Sequence, residues 1–147
     1  MKTFTLDSEL WLAHPLPEIF AFFADASNLE TITPPWLRFE ITTPRPIEMG
    51  RGTRIYYRLR LHGFSFSWRS EITVWDPPHR FVDEQVRGPY RLWRHEHTFE
   101  EKGGGTSVRD HVDYAVPGGL LVQKFVVGRD VVQIFDFRRK KLQEIFR

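Results

Sequence analysis

The 147-residue chain contains no cysteine. Disulfide staples, thiolate nucleophiles and cysteine-held metals are therefore excluded, in keeping with a reducing cytoplasm. No stretch approaches the roughly 20 apolar residues that cross a bilayer as a helix. The opening run Met1 to Glu9 carries acids where a signal peptide needs an apolar segment, so a cytoplasmic protein is expected. A large excess of one charge is lacking as well. The formal net charge is +2 and the arginines are spread along the chain, which supports solubility more than an anionic partner. Serine and threonine fall in no nucleophile-elbow context, and no carboxylate pair has hydrolase spacing, which argues against covalent catalysis. Gly103-Gly104-Gly105 lacks the Lys-Ser/Thr signature of a phosphate loop and opens onto a strand, so it reads as a hairpin turn.

What the chain does have is aromatic surface: 15% of residues, including five tryptophans. In a small sheet protein such rings fill the core and also line cavities that accept flat or apolar ligands. The length suits one domain, residues 1–147, able to build a core without staples. Thr3 to Leu12 alternates, with Phe4, Leu6, Leu10 and Leu12 on one face, which predicts a half-buried strand. His14-Pro15-Leu16-Pro17 stops it, and proline is tolerated in a first helical turn, so a short helix is expected over 17–24. Ser27 and Glu30 have the spacing of a capping box for a second short helix, ended by Pro34-Pro35.

Strands fill the middle of the chain. The expected spans are 37–43, 53–61, 64–75, 80–87, 90–101 and 106–116, separated by Pro, Gly and Asp-Pro signals. Short turns between them imply an antiparallel meander. From Gly119 to Arg147 one long amphipathic helix is expected, its apolar stripe running through Leu121, Phe125, Gly128, Val132, Phe135, Leu142 and Phe146. One helix cannot cover a whole curved sheet, so space between the two is expected. The run Arg138-Arg139-Lys140-Lys141 reads as a solvated helix end whose cations complement the helix dipole. No nucleic-acid partner is expected, because a binding surface would interleave exposed aromatics with the basic residues.

This order of elements resembles the START-like superfamily, also called SRPBCC or polyketide-cyclase-like, over essentially the whole chain. The closest echoes are Asp83 to Tyr90, Trp93-Arg94-His95-Glu96-His97-Thr98-Phe99, Asp110 to Tyr114 followed by Pro117-Gly118-Gly119, and Ile134 to Arg138. They are similar to a bacterial stand-alone branch with relatives fused to sugar-nucleotide epimerase-like domains. This chain has no dinucleotide-binding glycine motif of its own. The resemblance implies an α+β helix-grip fold: a curved antiparallel sheet of about seven strands around a long C-terminal helix, with two short helices after the first strand. It also implies a cavity between sheet and helix. It transfers no reaction, because the superfamily includes lipid carriers, cyclases, hydroxylase subunits and hormone sensors.

Alternation places the candidate site residues. His95 and His97 share a strand face with Trp93 and Phe99, which makes that face the inner one. The pair can ligate a metal with Asp83 or Asp110 as third ligand, serve as acid and base, or simply stand in a cavity wall. With no clear third ligand, no metal and no cofactor are assigned. Asp83 and Gln85 follow Phe81 inward, and an inward carboxylate needs a partner; the His95–Asp83 pair is the first one expected. Asp110 and Tyr114 go inward with Val108 and Val112, and Tyr57 and Trp68 belong to the same wall. Phe125, Val132 and Phe135 face them from the helix, and Tyr90, following Pro89, is placed at the pocket mouth.

Three functions fit. The leading one is binding of a small hydrophobic or aromatic molecule, such as a lipid, polyketide or similar metabolite, in the cavity. The second is a cyclase, dehydratase or isomerase using His95, His97 and Asp83 for proton transfer. The third is a structural or interaction module, for example a homodimer through exposed sheet edges.

Overall fold

Seven antiparallel strands in the order β1-β7-β6-β5-β4-β3-β2 make one open sheet. The computed structural model describes residues 2–118 and 122–147, with Phe125 described by its backbone only. The strands are β1 Phe4–Leu12, β2 Glu40–Ile41, β3 Arg54–Leu61, β4 Phe64–Asp76, β5 Arg80–Arg87, β6 Leu92–Lys102 and β7 Gly105–Ala115. Between β1 and β2 lie helix α1, Leu16–Phe23, and the single turn α2, Asn28–Thr31; helix α3, Gly128–Ile145, ends the chain. This is the helix-grip α+β architecture.

The concave face carries the core. Leu16, Ile19, Phe20 and Phe23 of α1 pack with Phe81, Phe99 and Leu142, while Val131 and Phe135 of α3 pack with Val112 and Tyr114 of β7. Residues alternating along each strand supply one side of this core, and the α1 and α3 stripes supply the other. A bulge in β4 changes its phase: Ile72 stands opposite Asp83, but Val74 stands opposite Val82 and Trp75 opposite Phe81. The inner face thus passes from Ile72 to Trp75, not to Val74 as simple alternation predicts.

Four local expectations are corrected. Ser27 is helical in its own backbone and makes no capping bond. Glu30 instead reaches β2, accepting from the Ile41 amide at 3.0 Å and from Arg45 at 2.6 Å. The strand expected over 37–43 shrinks to Glu40–Ile41, because Pro35–Leu37 forms a 3₁₀ turn and Arg38 takes φ 48°. The C-terminal helix is not a single α-helix. A π-helical turn, Gln123–Val127, precedes α3, so the phase read across 119–147 does not carry through it. Val132 is consequently 51% exposed and Val131 is buried in its place. Leu121 and the Phe125 side chain lie outside the described residues.

Gly128 closes the π turn. A Cβ there would sit 2.8 Å from the Gln123 carbonyl oxygen, closer than side-chain carbons approach backbone oxygens.

Candidate functional site

Four polar side chains from three neighbouring strands meet on the concave face. Asp83 comes from β5, His95 and His97 from β6, and Asp110 from β7. In the backbone register Asp83 stands opposite His95 and Asp110 opposite His97. The side chains pair on the diagonals. His97 Nε2 lies 2.6 Å from Asp83 Oδ2, and His95 Nε2 lies 2.7 Å from Asp110 Oδ1. The two imidazoles stack at 3.7 Å between centroids, with a carboxylate at each end of the stack. Each carboxylate also nears the second ring: His95 Nδ1 is 4.0 Å from Asp83 Oδ2, and His97 Nδ1 is 3.5 Å from Asp110 Oδ1. The expected His95–Asp83 pair is therefore the long contact, because the ring stack turns each histidine to a carboxylate two residues along a neighbouring strand from the position it faces.

Arg138 of α3 completes the cluster. It is 6% exposed, with Nη2 donating to Asp110 Oδ1 at 3.1 Å and lying 3.4 Å from His97 Nδ1. A guanidinium only donates, so it selects the tautomer in which His97 Nδ1 accepts and Nε2–H donates to Asp83. The guanidinium lies over the rings of Phe23 and Phe135, with Cζ 5.3 and 5.9 Å from their centroids. Nε is buried without a hydrogen-bond partner. The basic run points to a solvated helix end for this residue, and the structure corrects that. Val131, Phe135, Arg138 and Leu142 are spaced four, three and four apart, so Arg138 occupies an inward stripe position that its charge disguises.

The environment sets the charges. Burial pushes Asp110 up, but the Arg138 charge and the His95 hydrogen bond outweigh it and hold the carboxyl well below the usual carboxylate range. Burial likewise opposes ionisation of Asp83, and the His97 hydrogen bond with the nearby cationic groups lowers it on balance. His97 is pushed down to about 4, first by burial and then by His95, against the pull of Asp83. Burial and the Asp83 charge raise Tyr57 well above its ordinary value. Arg138 thus neutralises the Asp110 end, which leaves the Asp83 end anionic and 20% exposed at its side chain.

The Asp83 end faces a cavity of about 170 Å³ between the sheet and α3. Its wall includes Phe23, Leu59, Tyr57, Trp68, Ile72, Tyr90, Trp93, Ile134 and Phe135, with Asp83, His95, His97 and Arg138 as its polar patch. Tyr57, Trp68, Asp83, Trp93, His95, His97 and Phe135 thus line it from the faces that alternation gives them. Tyr90 packs on Trp68, Trp93 and Tyr114 and joins the aromatic wall. Ser70 is an addition to the sequence reading, because a small polar residue carries no periodic signal. It receives the Trp68 Nε1–H at 3.0 Å and lies 3.0 Å from the Tyr57 hydroxyl.

Others stand apart from the cavity. The Gln85 amide donates to the Tyr90 carbonyl at 2.7 Å and accepts from its amide at 3.1 Å, holding the turn between β5 and β6. Asp110 lies behind the histidines. Tyr114 packs with Val112, Val131 and Phe135, and its hydroxyl accepts from Gln123 at 2.9 Å. Val132 points outward. Among the described residues, Asp83, His95 and His97 also form a group able to hold a metal, their ligand atoms within 4.8 Å of one another.

The fold has clear structural counterparts. Protein Ms6760 from Mycobacterium smegmatis superposes with a TM-score of 0.72 at 22% identity, over 96% of this chain and 89% of that one. TTHA0849 from Thermus thermophilus gives 0.70 at 20% identity, over 95% and 94%. The ginseng major latex-like protein 151 from Panax ginseng gives 0.70 at 13% identity, over 98% and 97%. No curated protein matches the chain in sequence. The sequence profile of the family described as polyketide cyclase / dehydrase and lipid transport matches residues 12–135. With that match spanning most of the chain, and the cavity lying between its sheet and terminal helix, the protein belongs to this family, within the START-like (SRPBCC) superfamily.

Proposed function

We propose that the protein binds a small hydrophobic molecule, aromatic in body and carrying a hydroxyl or other hydrogen-bond donor at one end. Membership of the family supports hydrophobic-ligand binding in general. The observation that carries the finer reading is the distribution of polarity in the cavity. Rings and aliphatic groups make most of the wall, and Asp83 is its half-buried carboxylate, Asp25 on the same wall being exposed. Transfer from water favours the apolar body at roughly 25 cal/mol per Å² buried. A donor on the ligand then satisfies the carboxylate, which otherwise counts against burial.

Size limits the choice. Ligand pockets for drug-sized molecules run from about 300 to 1,000 Å³. A cavity of about 170 Å³ suits a compact ring system in this conformation, and a lipid requires α3 or the α2 region to move outward.

Native mass spectrometry of freshly purified protein tests the reading. A retained mass of one small apolar compound per chain is expected. Protein that carries nothing and takes up no member of an aromatic panel would overturn it.

The second reading, proton transfer of the cyclase, dehydratase or isomerase kind, rests on Asp83 and His97 facing the same largely apolar cavity as the ligand. It predicts that His97→Gln abolishes a turnover while leaving ligand affinity nearly unchanged.

A further inference from the structure

We infer that Asp83, His95 and His97 form a binding site for one divalent transition-metal ion, whose remaining coordination positions open into the apolar cavity. The site is the one read above as the ligand's polar contact, and the inference deepens that reading by naming what can sit between Asp83 and the ligand.

The geometry carries it in three ways. His97 Nε2, His95 Nδ1 and the Asp83 carboxylate converge on one volume at the cavity end of the ring stack, the atoms lying within 4.8 Å of one another. Two imidazoles and one carboxylate grouped on one side, with the other side left open, are the donor set of mononuclear zinc and non-haem iron(II) sites. The histidines come from alternate positions of one strand and the aspartate from the strand beside it. The sheet therefore fixes the three backbone positions, while the two rings, stacked at 3.7 Å with 24° between their planes, must tilt apart for both lone pairs to aim at one ion.

The surroundings of the rings also fit. A metal-bound imidazole donates its other N–H to a carboxylate or carbonyl, which fixes the ring and strengthens its ligation. Asp110 Oδ1 stands at the far nitrogen of both rings, 2.7 Å from His95 Nε2 and 3.5 Å from His97 Nδ1. Arg138, at 3.1 Å, keeps that acceptor in place. In the metal-free protein the His97 proton sits on Nε2 and bridges to Asp83. On binding it transfers to Nδ1, where Asp110 accepts it and the Arg138 contact to that nitrogen is given up, and the metal occupies the place between Nε2 and Asp83 Oδ2. No proton is released by this exchange of tautomers.

Formal charge points the same way. With both imidazoles uncharged, two carboxylates and one guanidinium leave one negative charge in the cluster, at the end remote from Arg138. A buried charge of that kind is stabilised by a cation in direct contact. No cysteine is available in the chain, so the donor set favours zinc, cobalt, nickel or iron(II) over thiophilic ions.

Titration of EDTA-dialysed full-length protein with Co²⁺, followed by visible absorption, decides the question, with calorimetry for Zn²⁺. One equivalent is expected, with ligand-field bands distinct from aqueous cobalt. Asp83→Asn and His97→Gln, checked for folding by circular dichroism, should each weaken affinity by about 100-fold or more, and Asp110→Asn by about 10- to 100-fold. A wild-type protein with no bands and no heat overturns the inference, whatever the variants do. Equal affinity in folded His97→Gln overturns it too, by moving the metal elsewhere. Cobalt uptake without uptake of any aromatic compound would leave the metal site standing and sink the ligand reading alone.

Discussion

His97 hydrogen-bonds Asp83 across a diagonal of the sheet, Nε2 to Oδ2 at 2.6 Å, although the residue facing it in the register of β5 is Phe81. Phe81 stacks on the His97 ring at 4.0 Å between centroids, and His95 stacks on its other side at 3.7 Å. The imidazole is thus clamped between two rings and aimed along the sheet. Its pairing follows from that clamp, and the behaviour of the cluster follows from the pairing.

Acid should weaken the metal-free protein through His97. Its ordinary value of 6.5 falls to about 4 in the fold, so between these limits the unfolded chain binds a proton that the folded one refuses. Stability should decline as pH falls from 6.5 to 4, by about 3 kcal/mol at full development. Asp83 and Asp110 are lowered in the fold, so their contribution is present above their ordinary 3.8 and is lost as pH falls below it. His111 on the outer face has the opposite sign, being raised by its hydrogen bond to Asp7, but it is partly open to solvent and its part is small. Urea denaturation at pH 4.5 and 7 should show the decline in wild type and a smaller one in His97→Gln.

Removing one member of the Asp110–Arg138 pair should cost more than removing both. Asp110→Leu leaves a guanidinium buried without its carboxylate, a loss of about 3–5 kcal/mol. The double variant Asp110→Leu/Arg138→Met replaces the pair by apolar volume and should recover a large part of that loss. Chemical denaturation of the two variants and wild type checks this. A double variant less stable than the single would contradict it.

The cavity should close when its rim is filled. Ile134 lines both the cavity and the adjoining groove by Trp36 and His62, at a half-buried position that tolerates volume. Ile134→Trp should abolish uptake of aromatic compounds while shifting the melting temperature little. Unchanged affinity in calorimetry would place the ligand elsewhere.

Gly128→Ala should disturb the π turn. The added methyl meets the Gln123 carbonyl oxygen and then the Gln123 amide at 3.2 Å, so the turn must shift. The Gln123 bond to Tyr114 should be lost with it, for a cost of about 1–3 kcal/mol. Thermal melting gives the cost, and protection of the Gln123–Gly128 amides from hydrogen exchange gives the place.

Periodicity makes most of this legible. Strand alternation places Tyr57, Trp68, Asp83, Trp93, His95 and His97 on the concave face, because a period of two is fixed by the pleat. It fails at Val74, where one extra residue inverts the phase, and a bulge has no strong local sequence signal here. It also fails at Val132, because a π turn breaks the helical period upstream. Arg138 is hidden for a different reason: a charge in a basic run reads as solvated, and only its spacing from Phe135 and Leu142 marks it as inward. Which carboxylate each histidine takes is set by ring stacking across strands, and that information lies outside any one strand's pattern.

The most direct measurement is calorimetric titration of wild-type protein with 2-naphthol and with its methyl ether. The account predicts saturable binding of both, with the naphthol tighter by about tenfold, the worth of one hydrogen bond to a charged acceptor. Absence of binding for both compounds would contradict the apolar cavity as a ligand site, and equal affinities would contradict Asp83 as its polar end.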